Sequence, residues 1–385
     1  MKPTQGTDFT PREELLAVSL ELSKGSWKIA LHDGRRDKPA IHTVASEVSS
    51  KRLKDAVAVI EGTKAKWGLS EQTRVVVMYE AGQDGFWIQR ALIELGYEAL
   101  IVDPASIPVE RSARRAKTDR LDAIKLVMCL MGWLRGELDR MHPIRIPTAE
   151  AEALRHLTRD RGVLQKEVQQ HRDRIRKELR TVGCWDGVEG KFAKRLEQGE
   201  VTCHDGTPLP ELLKARIERE CERLAFVEKQ LATLEADMVK AMPEAVQARI
   251  KQLKQLKAIG DIGAMRLVLE LYWRDFENRR QVGACVGLAP QPYDSGESRV
   301  DQGISKQGNR RVRALLIEMA WFWLRYQPDS AMSKWFAQRT GGTGTGANKR
   351  GKRIAIVAVA RRLAIALWRY LKDGEIPEGA ELKAA

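Results

Sequence analysis

The sequence lacks several features that would assign it to a familiar class of protein. None of its five cysteines forms a Cys-x-x-Cys pair or a spacing that suits zinc. No apolar stretch is long and uncharged enough for a membrane span, because Glu318 interrupts one candidate and Arg361 with Arg362 interrupts the other. The N-terminus shows no signal-peptide pattern. These absences predict a soluble, cytoplasmic protein with reduced thiols.

Two catalytic signatures are missing from the C-terminal half. All six histidines lie at or before His204, so a Ser–His pair within the segment that follows is excluded. The Gly- and Thr-rich stretch at residues 340–346 lacks the Gly-Lys-Ser/Thr ending of a phosphate-binding P-loop. Any serine chemistry in this half therefore needs activation from another kind of group.

Positive charge is what the sequence has in excess. Lys and Arg number 66 against 52 Asp and Glu, which gives a formal net charge of +14 and a pI near 9.6. Such an excess favours a polyanionic partner, because a protein that neutralises phosphates releases their counterions. The 385 residues are enough for two or three domains, and a hydrophobic content of 43% is normal for a globular protein.

The first region, residues 12–146, alternates strand and helix patterns. The predicted elements are two strands within residues 15–31, a helix at 49–67, a strand at 74–79, a helix at 86–95, a strand at 98–102 and a helix at 120–131. This alternation predicts an α/β domain with a central mixed sheet.

The next region, residues 147–245, changes to a helical repeat. Apolar residues fall close to heptad spacing from Leu154 to Val182 and again from Ile217 to Met238. Two long amphipathic helices separated by a loop predict an antiparallel coiled-coil hairpin. The same spacing also fits the faces of ordinary bundle helices, and both interpretations stay open.

The last region, residues 246–372, is predicted to be mostly α-helical. Gly260 and Gly263 lie three apart between helical runs, as in a helix–hairpin–helix motif whose backbone N–H groups hold a DNA phosphate. A tight helix–helix turn produces the same pattern, so the two interpretations are equally supported.

Four carboxylates in the first region stand out by their placement. Glu21 lies within the first strand among apolar residues, where an unpaired charge is costly. Glu80 closes a strand before Ala81, and Asp119 and Asp122 lie three apart at a helix start, so they point to one face. If the four converged on one sheet edge, they would bind two Mg²⁺ (or Mn²⁺) ions for an in-line phosphoryl displacement.

Each of these acids alone has an ordinary structural explanation. An Asp at a helix start is usually a cap, and a Glu at a strand end is usually solvated. Together, on this order of strands and helices, the four fit the ribonuclease-H-like nuclease arrangement, whose first acid lies in the first strand. The combination predicts a catalytic domain.

A second constellation lies between residues 286 and 313. Ser295 follows a Pro-rich turn and precedes Gly296, which predicts an exposed hydroxyl, and Ser305 lies in a second glycine-flanked turn. A serine that attacks a phosphodiester needs cations to hold the phosphate and offset the developing charge. The segment offers Lys306, Arg310, Arg311 and Arg313. On composition alone, however, a Ser-Gly pair is usually just a turn.

These motifs, taken in order, resemble a known family. The matching segments are Glu21-Leu-Ser-Lys, Glu80-Ala-Gly, Lys117-Thr-Asp-Arg-Leu-Asp-Ala, Ala258-Ile-Gly-Asp-Ile-Gly, Gly287-Leu-Ala-Pro with Ser295-Gly, and Gly303-Ile-Ser-Lys-Gln-Gly-Asn with Arg313. The ordered set is similar to the DEDD transposases of insertion sequences (the IS110 type, which includes the Piv-type DNA invertases). The resemblance extends over about residues 15–330.

The resemblance implies a RuvC-like N-terminal domain, a coiled coil for assembly into a dimer or tetramer, and a helical transposase domain with a catalytic serine. It implies recombination of the element's ends with double-stranded target DNA at the bacterial nucleoid. In some members, a structured guide RNA from the element base-pairs with both DNAs.

Roles are carried over by motif. The metal-binding carboxylates are Glu21, Glu80, Asp119 and Asp122. Ser295 is the nucleophile, with Ser305 less favoured because its position in the motif is freer to be threonine. The residues expected to contact nucleic acid are Lys117, Gly260, Gly263, Lys306, Arg310, Arg311 and Arg313.

One residue departs from the family pattern, which usually has aspartate where this chain has Glu21. The extra methylene keeps a hard oxygen ligand but changes its reach. Two hypotheses compete with the recombinase: a junction-resolving nuclease, which tolerates Ser295→Ala, and a non-catalytic nucleic-acid-binding assembly protein, which tolerates loss of Asp119 and Asp122. The charge within a strand at Glu21 argues against the last.

Overall fold

The computed structural model describes residues 14–108, 118–296, 298–341 and 349–383, with side chains described for all of these except 298–301. The chain divides into two compact units, with the division between Ile146 and Pro147. Lys117, one of the predicted nucleic-acid contacts, lies outside the described residues, as does most of the Gly- and Thr-rich stretch.

A five-stranded mixed sheet forms the centre of the first unit. Its strands are β1 (Leu15–Leu22), β2 (Ser26–His32), β3 (Ala40–Ala45), β4 (Arg74–Glu80) and β5 (Glu98–Val102). The order across the sheet is β3-β2-β1-β4-β5. Strand β1 pairs antiparallel with β2 and parallel with β4, and β5 is parallel to β4.

Helices cover both faces of this sheet. They are α1 (Ser49–Trp67), α2 (Trp87–Glu94) and α3 (Asp119–Leu134). Successive side chains of a strand point to opposite faces. Accordingly, Leu16, Val18 and Leu20 pack in the core beneath α1 and α2, whereas Ala17 packs in the core beneath α3. This face assignment decides where side chains at the strand ends point.

The mixed α/β sheet followed by a helical region confirms the expected fold class at this level. The edge strand β3 was not predicted, because its sequence Ala-Ile-His-Thr-Val-Ala lacks a buried, regularly alternating apolar face. It forms by antiparallel pairing with β2, a long-range contact that its own residues do not specify.

The second unit begins with two long antiparallel helices, α4 (Ala149–Arg180) and α6 (Glu211–Ala241), and the short α5 (Phe192–Glu197) lies in the connection. Ion pairs join Arg161 to Glu235 at 2.7 Å and Glu178 to Arg216 at 2.7 Å, so residue numbers fall on one helix as they rise on the other. The predicted helical hairpin is therefore present, and its supercoiling into a coiled coil stays a prediction.

The remaining elements follow along the chain, and the helices among them share one apolar core. These elements are α7 (Glu244–Lys254), α8 (Asp261–Glu270), α9 (Arg279–Cys285), β6 (Pro290–Ser295), β7 (Ser298–Ile304), α10 (Arg310–Tyr326), α11 (Ala331–Thr340) and α12 (Lys349–Asp373). Leu154 of α4 and Met238 of α6 also belong to this core. Across the described ranges, no helix is long and apolar enough to cross a bilayer.

A buried carboxylate helps to hold the helical hairpin together. Glu220 of α6 accepts hydrogen bonds from His171 Nδ1 at 2.7 Å and from Arg223 Nη1 at 2.6 Å. Burial raises the pKa of Glu220, but these hydrogen bonds and the nearby His171 and Arg174 outweigh burial, so the pKa lies below its ordinary value.

We expect Glu220→Gln to lower the free energy of unfolding by about 2 kcal/mol at neutral pH, because a hydrogen-bonded buried charge is lost. A depressed carboxyl pKa stabilises the fold above its unfolded value of 4.5, and this stability disappears as pH falls through the folded value. Urea unfolding between pH 3 and 7 should therefore show a smaller acid-induced loss in the variant. The exposed Glu222→Gln on the same helix is the control, and equal effects of both substitutions would contradict the role of Glu220.

Candidate active site

Two of the predicted carboxylates end neighbouring parallel strands. Glu21 is the penultimate residue of β1, and Glu80 is the last residue of β4. The parallel register pairs Leu20 with Tyr79, so the next residue on each strand is one of these acids. Glu21 is half-buried rather than enclosed among apolar side chains, as is Glu80. The two carboxylates therefore lie side by side at the carboxyl end of the sheet.

Both acids belong to the face of the sheet that α3 covers. Ala17 of β1 and Met78 of β4 lie in the core beneath α3, and strand alternation places Glu21 and Glu80 on the same side. The Ser19 hydroxyl donates a hydrogen bond of 2.7 Å to the carbonyl oxygen of Ala123, which joins β1 directly to α3.

The other two carboxylates lie in the first turn of α3. Thr118 caps the helix by accepting a hydrogen bond from Leu121 N at 3.3 Å. Ala123 and Leu126 pack against the sheet, and residues four positions earlier share their face of a helix, so Asp119 and Asp122 lie on the sheet-facing side. All four predicted acids are thus brought to one end and one face of the sheet.

The donor set fits a hard divalent cation, because all four side chains offer carboxylate oxygens. The arrangement is not a closed ligand shell: within the described part of the chain, no three His, Cys, Asp or Glu side chains lie close enough to hold a metal ion. Lys125 lies 3.8 Å from Asp122 Oδ1, so this carboxylate has a nearby countercharge. The four acids are therefore a candidate metal site whose donors share a face without yet enclosing an ion.

Tyr79 fixes the loop that follows Glu80. Its hydroxyl accepts a hydrogen bond from Gln89 N at 3.1 Å and donates one of 3.4 Å to the carbonyl oxygen of Gly85. Burial raises the pKa of Tyr79, so the phenol stays neutral and keeps its proton for this bond. The carboxylate at the strand end is thereby followed by an anchored loop.

Ser295 lies at the tip of a β-hairpin in the second unit. It is the last residue of β6, opposite Ser298 in the register with β7. Every residue of β6 is exposed, so this strand does not contribute to the core beneath it. The exposed hydroxyl agrees with expectation, but the hairpin itself was not predicted, because its prolines and the Ser-Gly pair suggested turns.

A tightly packed loop forms the base of this hairpin. Arg313 Nη1 donates hydrogen bonds to the carbonyl oxygens of Val286 at 3.1 Å and Lys306 at 3.0 Å. Ser305 N donates to the carbonyl oxygen of Ala289 at 2.9 Å, at the opening of the hairpin. Arg313 thus fixes the loop that carries Ser305 and Lys306, a structural role that its predicted phosphate contact did not include.

The predicted cations lie near the hairpin's base, away from its tip. Lys306 follows β7 after one residue, and Arg310 and Arg311 begin α10. Ser295 is five residues beyond Pro290, which at about 3.3 Å per residue is roughly 17 Å along the strand. Within the second unit, the structure therefore separates Ser295 from the cations expected to hold its phosphate.

The two glycines of the predicted helix–hairpin–helix lie at the start of α8. Gly260 is the residue before the helix, and Gly263 lies in its first turn beside the side chain of Met319. Lys254 forms an ion pair with Asp261 across the turn. The segment is a turn between α7 and α8, and phosphate binding by its backbone stays a prediction.

Sequence reasoning missed a buried acid in the second unit. Glu270 is 4% exposed at the end of α8 and accepts a hydrogen bond from Asn309 Nδ2 at 3.2 Å. Asn309 caps α10 by accepting from the backbone N–H groups of Arg311 and Val312. The signal was available, because Glu270 lies within the apolar run Leu267-Val-Leu-Glu-Leu, as Glu21 does in its own strand.

Comparison with known proteins places these sites in a family context. One family model, described as "Transposase IS116/IS110/IS902 family", matches residues 250–334, which include the serine hairpin. A second, described as "Transposase" and named for DEDD enzymes of the IS110 type, matches residues 39–183, which include Glu80, Asp119 and Asp122. Glu21 precedes the first residue of that match.

Full-length relatives agree with the family models. A Sinorhizobium fredii protein named as a candidate transposase, y4rJ, is 40% identical over 95% of this chain and 94% of its own length. The transposase for insertion sequence element IS1533 of Leptospira borgpetersenii is 24% identical over 79% of this chain and 83% of its own. The transposase for insertion sequence element IS1328 of Yersinia enterocolitica is 23% identical over 78% and 85%.

The loop at the hairpin base yields a stability prediction. Gly287 has a φ of +65°, and a Cβ there would overlap the carbonyl oxygen of Gln307 and the guanidinium of Arg313. We expect Gly287→Ala to cost about 3 kcal/mol or more, because left-handed strain adds to the overlap. Gly303→Ala, at φ +85° with open space around its Cβ, should cost only about 1–2 kcal/mol. Thermal unfolding of both variants measures the difference, and equal losses would show that the close approach at Gly287 is unimportant.

Proposed function

This chain belongs to the IS116/IS110/IS902 transposase family, and on that basis we propose that it cuts and rejoins DNA at the ends of an insertion sequence and at its target. The observation that carries the proposal is the placement of four carboxylates on the α3 face of the sheet, at the ends of β1 and β4 and the start of α3. A DNA-binding assembly protein would have no need for such a group of like charges.

In the proposed site, Glu21 and Glu80 present oxygens from the strand ends and Asp119 and Asp122 present oxygens from α3. A divalent cation held there, Mg²⁺ or Mn²⁺, would supply Lewis-acid stabilisation of the charge that develops on the phosphate oxygens. The Ser19 hydrogen bond to Ala123 keeps α3 against β1, so it positions the aspartates relative to the glutamates. This site is the proposed catalytic centre of a RuvC-like domain.

Ser295 is the proposed nucleophile. Its Oγ forms a bond to the phosphorus of a DNA phosphodiester while the bond from phosphorus to a deoxyribose oxygen breaks. The hydroxyl loses its proton, and the departing deoxyribose oxygen gains one, so atoms and charge balance. Because the phosphodiester energy is conserved in the serine–DNA bond, attack by a deoxyribose hydroxyl rejoins the strands without ATP.

Cooperation between subunits follows from the placement of Ser295. The hairpin tip is exposed and lies about 17 Å along β6 from the hairpin's base, so Ser295 is separated from the cations near that base. We propose that Ser295 reaches the carboxylate site of another subunit in a homo-oligomer, a dimer or tetramer, assembled through α4 and α6. Coiled-coil packing between subunits would suit these long, charged helices.

A structured RNA from the element is the proposed guide. The net charge of +14 suits more than one nucleic-acid strand in the assembly, and RNA pairing would supply sequence recognition without base-specific protein contacts. Lys306, Arg310 and Arg311 are proposed to contact nucleic-acid phosphates, because they lie exposed around the start of α10.

A junction-resolving nuclease remains the alternative function. One observation favours it: the four carboxylates all belong to the first unit, while Ser295 belongs to the second. Such an enzyme would hydrolyse phosphodiesters with water and leave no protein–DNA bond.

We expect a protease-sensitive protein–DNA adduct when the protein, co-expressed with the element's flanking non-coding sequence, is mixed with labelled joined-end DNA and Mg²⁺. Ser295→Ala should abolish the adduct on a denaturing gel, and Asp119→Ala should reduce it below detection. Ser305→Ala and Ser298→Ala, which remove other hydroxyls near the hairpin, should retain it. Metal-dependent cleavage without an adduct, unaffected by Ser295→Ala, would establish the nuclease instead.

The same assay tests cooperation between subunits. Mixed oligomers of Ser295→Ala and Asp119→Ala chains should recover adduct formation, because one subunit supplies the serine and the other the carboxylates. If each subunit used its own serine and its own carboxylates, neither variant chain would be active, and the mixed oligomers would form no adduct.

Glu21 allows a separate test of the carboxylate site. Substitution of a residue that only supports a metal ligand lowers metal affinity or activity by about 10- to 100-fold. Because Glu21 is proposed as a ligand itself, Glu21→Gln should reduce the cleavage rate by about 100-fold or more. Glu21→Asp restores the residue usual in the family and should keep activity, with a changed dependence on Mg²⁺ concentration. Cleavage rates across a Mg²⁺ titration measure both effects, and a fully active Glu21→Gln would remove Glu21 from the site.

A further inference from the structure

A basic cleft in the second unit is lined by no residue of the serine hairpin itself. It is bounded by α4, α8 and α10, and its volume is about 550 Å³. Four of its lining side chains are Arg159 and Lys166 from α4, Arg266 from α8 and Arg311 from α10. Only Arg311 was singled out from the sequence, because the other three come from segments that are distant along the chain.

The pairing of these cations differs from that of their neighbours. Arg161, which also lines the cleft, and Arg172, further along α4, form ion pairs of 2.7 Å with Glu235 and Glu228 of α6. By contrast, no carboxylate of the described residues lies within 4.0 Å of the charged nitrogens of the four cleft cations. A group of like charges without countercharges is repulsive, and a polyanion in the cleft would remove that repulsion.

The acid on the cleft floor is already satisfied by internal hydrogen bonds. Glu270 Oε1 accepts a hydrogen bond from Thr158 Oγ1 at 3.0 Å, and Oε2 accepts one from Asn309 Nδ2 at 3.2 Å. Because Asn309 caps α10, these bonds fix the start of the helix that carries Arg311. Glu270 therefore positions a cation of the cleft and presents little charge to its interior. The other lining acid, Glu167, leaves the cleft with an excess of positive charge.

Gly162 leaves the backbone of α4 open to the cleft. It lies in the middle of the helix and lines the cleft, and a Cβ there would meet no atom within 4 Å. Glycine is unfavourable inside a helix, and packing does not require it at this position. Its effect is a shallow gap between Arg159 and Lys166, where a bulky group can approach the helix closely.

We propose that this cleft binds the phosphodiester backbone of a nucleic acid, with Arg159, Lys166, Arg266 and Arg311 contacting its phosphates. The proposal rests on the proposed function for its substrate class and adds a binding site on the second unit. DNA and RNA share this chemistry, so the experiment must distinguish the two sources.

The test is a binding measurement with the full-length protein. Fluorescence anisotropy gives the Kd for a 30-base-pair DNA duplex and for an RNA duplex of the same length, over a series of KCl concentrations. In Arg159→Gln/Arg266→Gln, loss of two phosphate contacts should weaken binding regardless of sequence and lower the slope of log Kd against log [KCl] by about 2.

A matched control separates the cleft from net charge. Arg219→Gln/Lys229→Gln removes two exposed cations of α6 that do not line the cleft, and it should leave both Kd and slope close to wild type. Equal effects of the two double variants, or no change on either duplex, would overturn the proposal. Weaker binding of the DNA duplex or of the RNA duplex by Arg159→Gln/Arg266→Gln alone supports the proposal and identifies which nucleic acid supplies the phosphates.

A second variant leaves every cation in place. Gly162→Glu introduces a carboxylate that can pair with Arg159 and Lys166, and it should weaken binding several-fold without lowering the thermal unfolding temperature. Gly62→Glu adds the same charge at an exposed glycine of α1 with equally open surroundings. This control should not weaken binding. Binding by Gly162→Glu as tight as wild type would overturn the proposal.

The binding result and the adduct result can fail independently. If the wild-type protein forms a Ser295 adduct and the cleft variants bind nucleic acid normally, the transposase function stands and the cleft is not a binding site. If the cleft variants bind nucleic acid weakly and the wild-type protein forms no adduct, the cleft is a binding site and the serine mechanism is wrong.

Discussion

The parallel pairing of β1 with β4 is the constraint on which the candidate site depends. It ends two neighbouring strands at the same edge, so Glu21 and Glu80 become lateral neighbours about 4.8 Å apart in strand spacing. The first turn of α3 adds two more acids on the same face. Parallel pairing thus brings acidic side chains to one edge of the sheet, which is the physical reason for proposing a metal-dependent site there.

The loop at the base of the serine hairpin shows a different use of charge. Arg313 donates to two backbone carbonyls, and Gly287 and Gly308 allow chain segments to approach more closely than a Cβ would permit. Residues of a motif that suggested phosphate chemistry thus serve first to shape the loop. The hairpin begins at this tightly packed base, which fixes where its two strands leave the core.

Local pattern was sufficient for most of the first unit, where α1 was predicted at Ser49–Trp67 as observed. It located the strand ends and the helix start that carry the four acids, while their grouping into one metal site stays a prediction. It failed for β3 and for the β6–β7 hairpin, whose pairing comes from contacts between segments and not from apolar alternation. It failed also for the cleft, since Arg159 and Arg266 meet only through the packing of α4 on α8.

The exposure of β6 has a consequence for fidelity. A lone two-stranded ribbon is marginally stable in water, and this one gains little from the core of its own chain. The base therefore fixes where the hairpin leaves the core, whereas the orientation of the Ser295 hydroxyl at its tip depends on what binds the exposed strand. With Ser295 as the proposed nucleophile, cleavage would be coupled to assembly on DNA, because an unassembled subunit would not hold the serine in a fixed orientation.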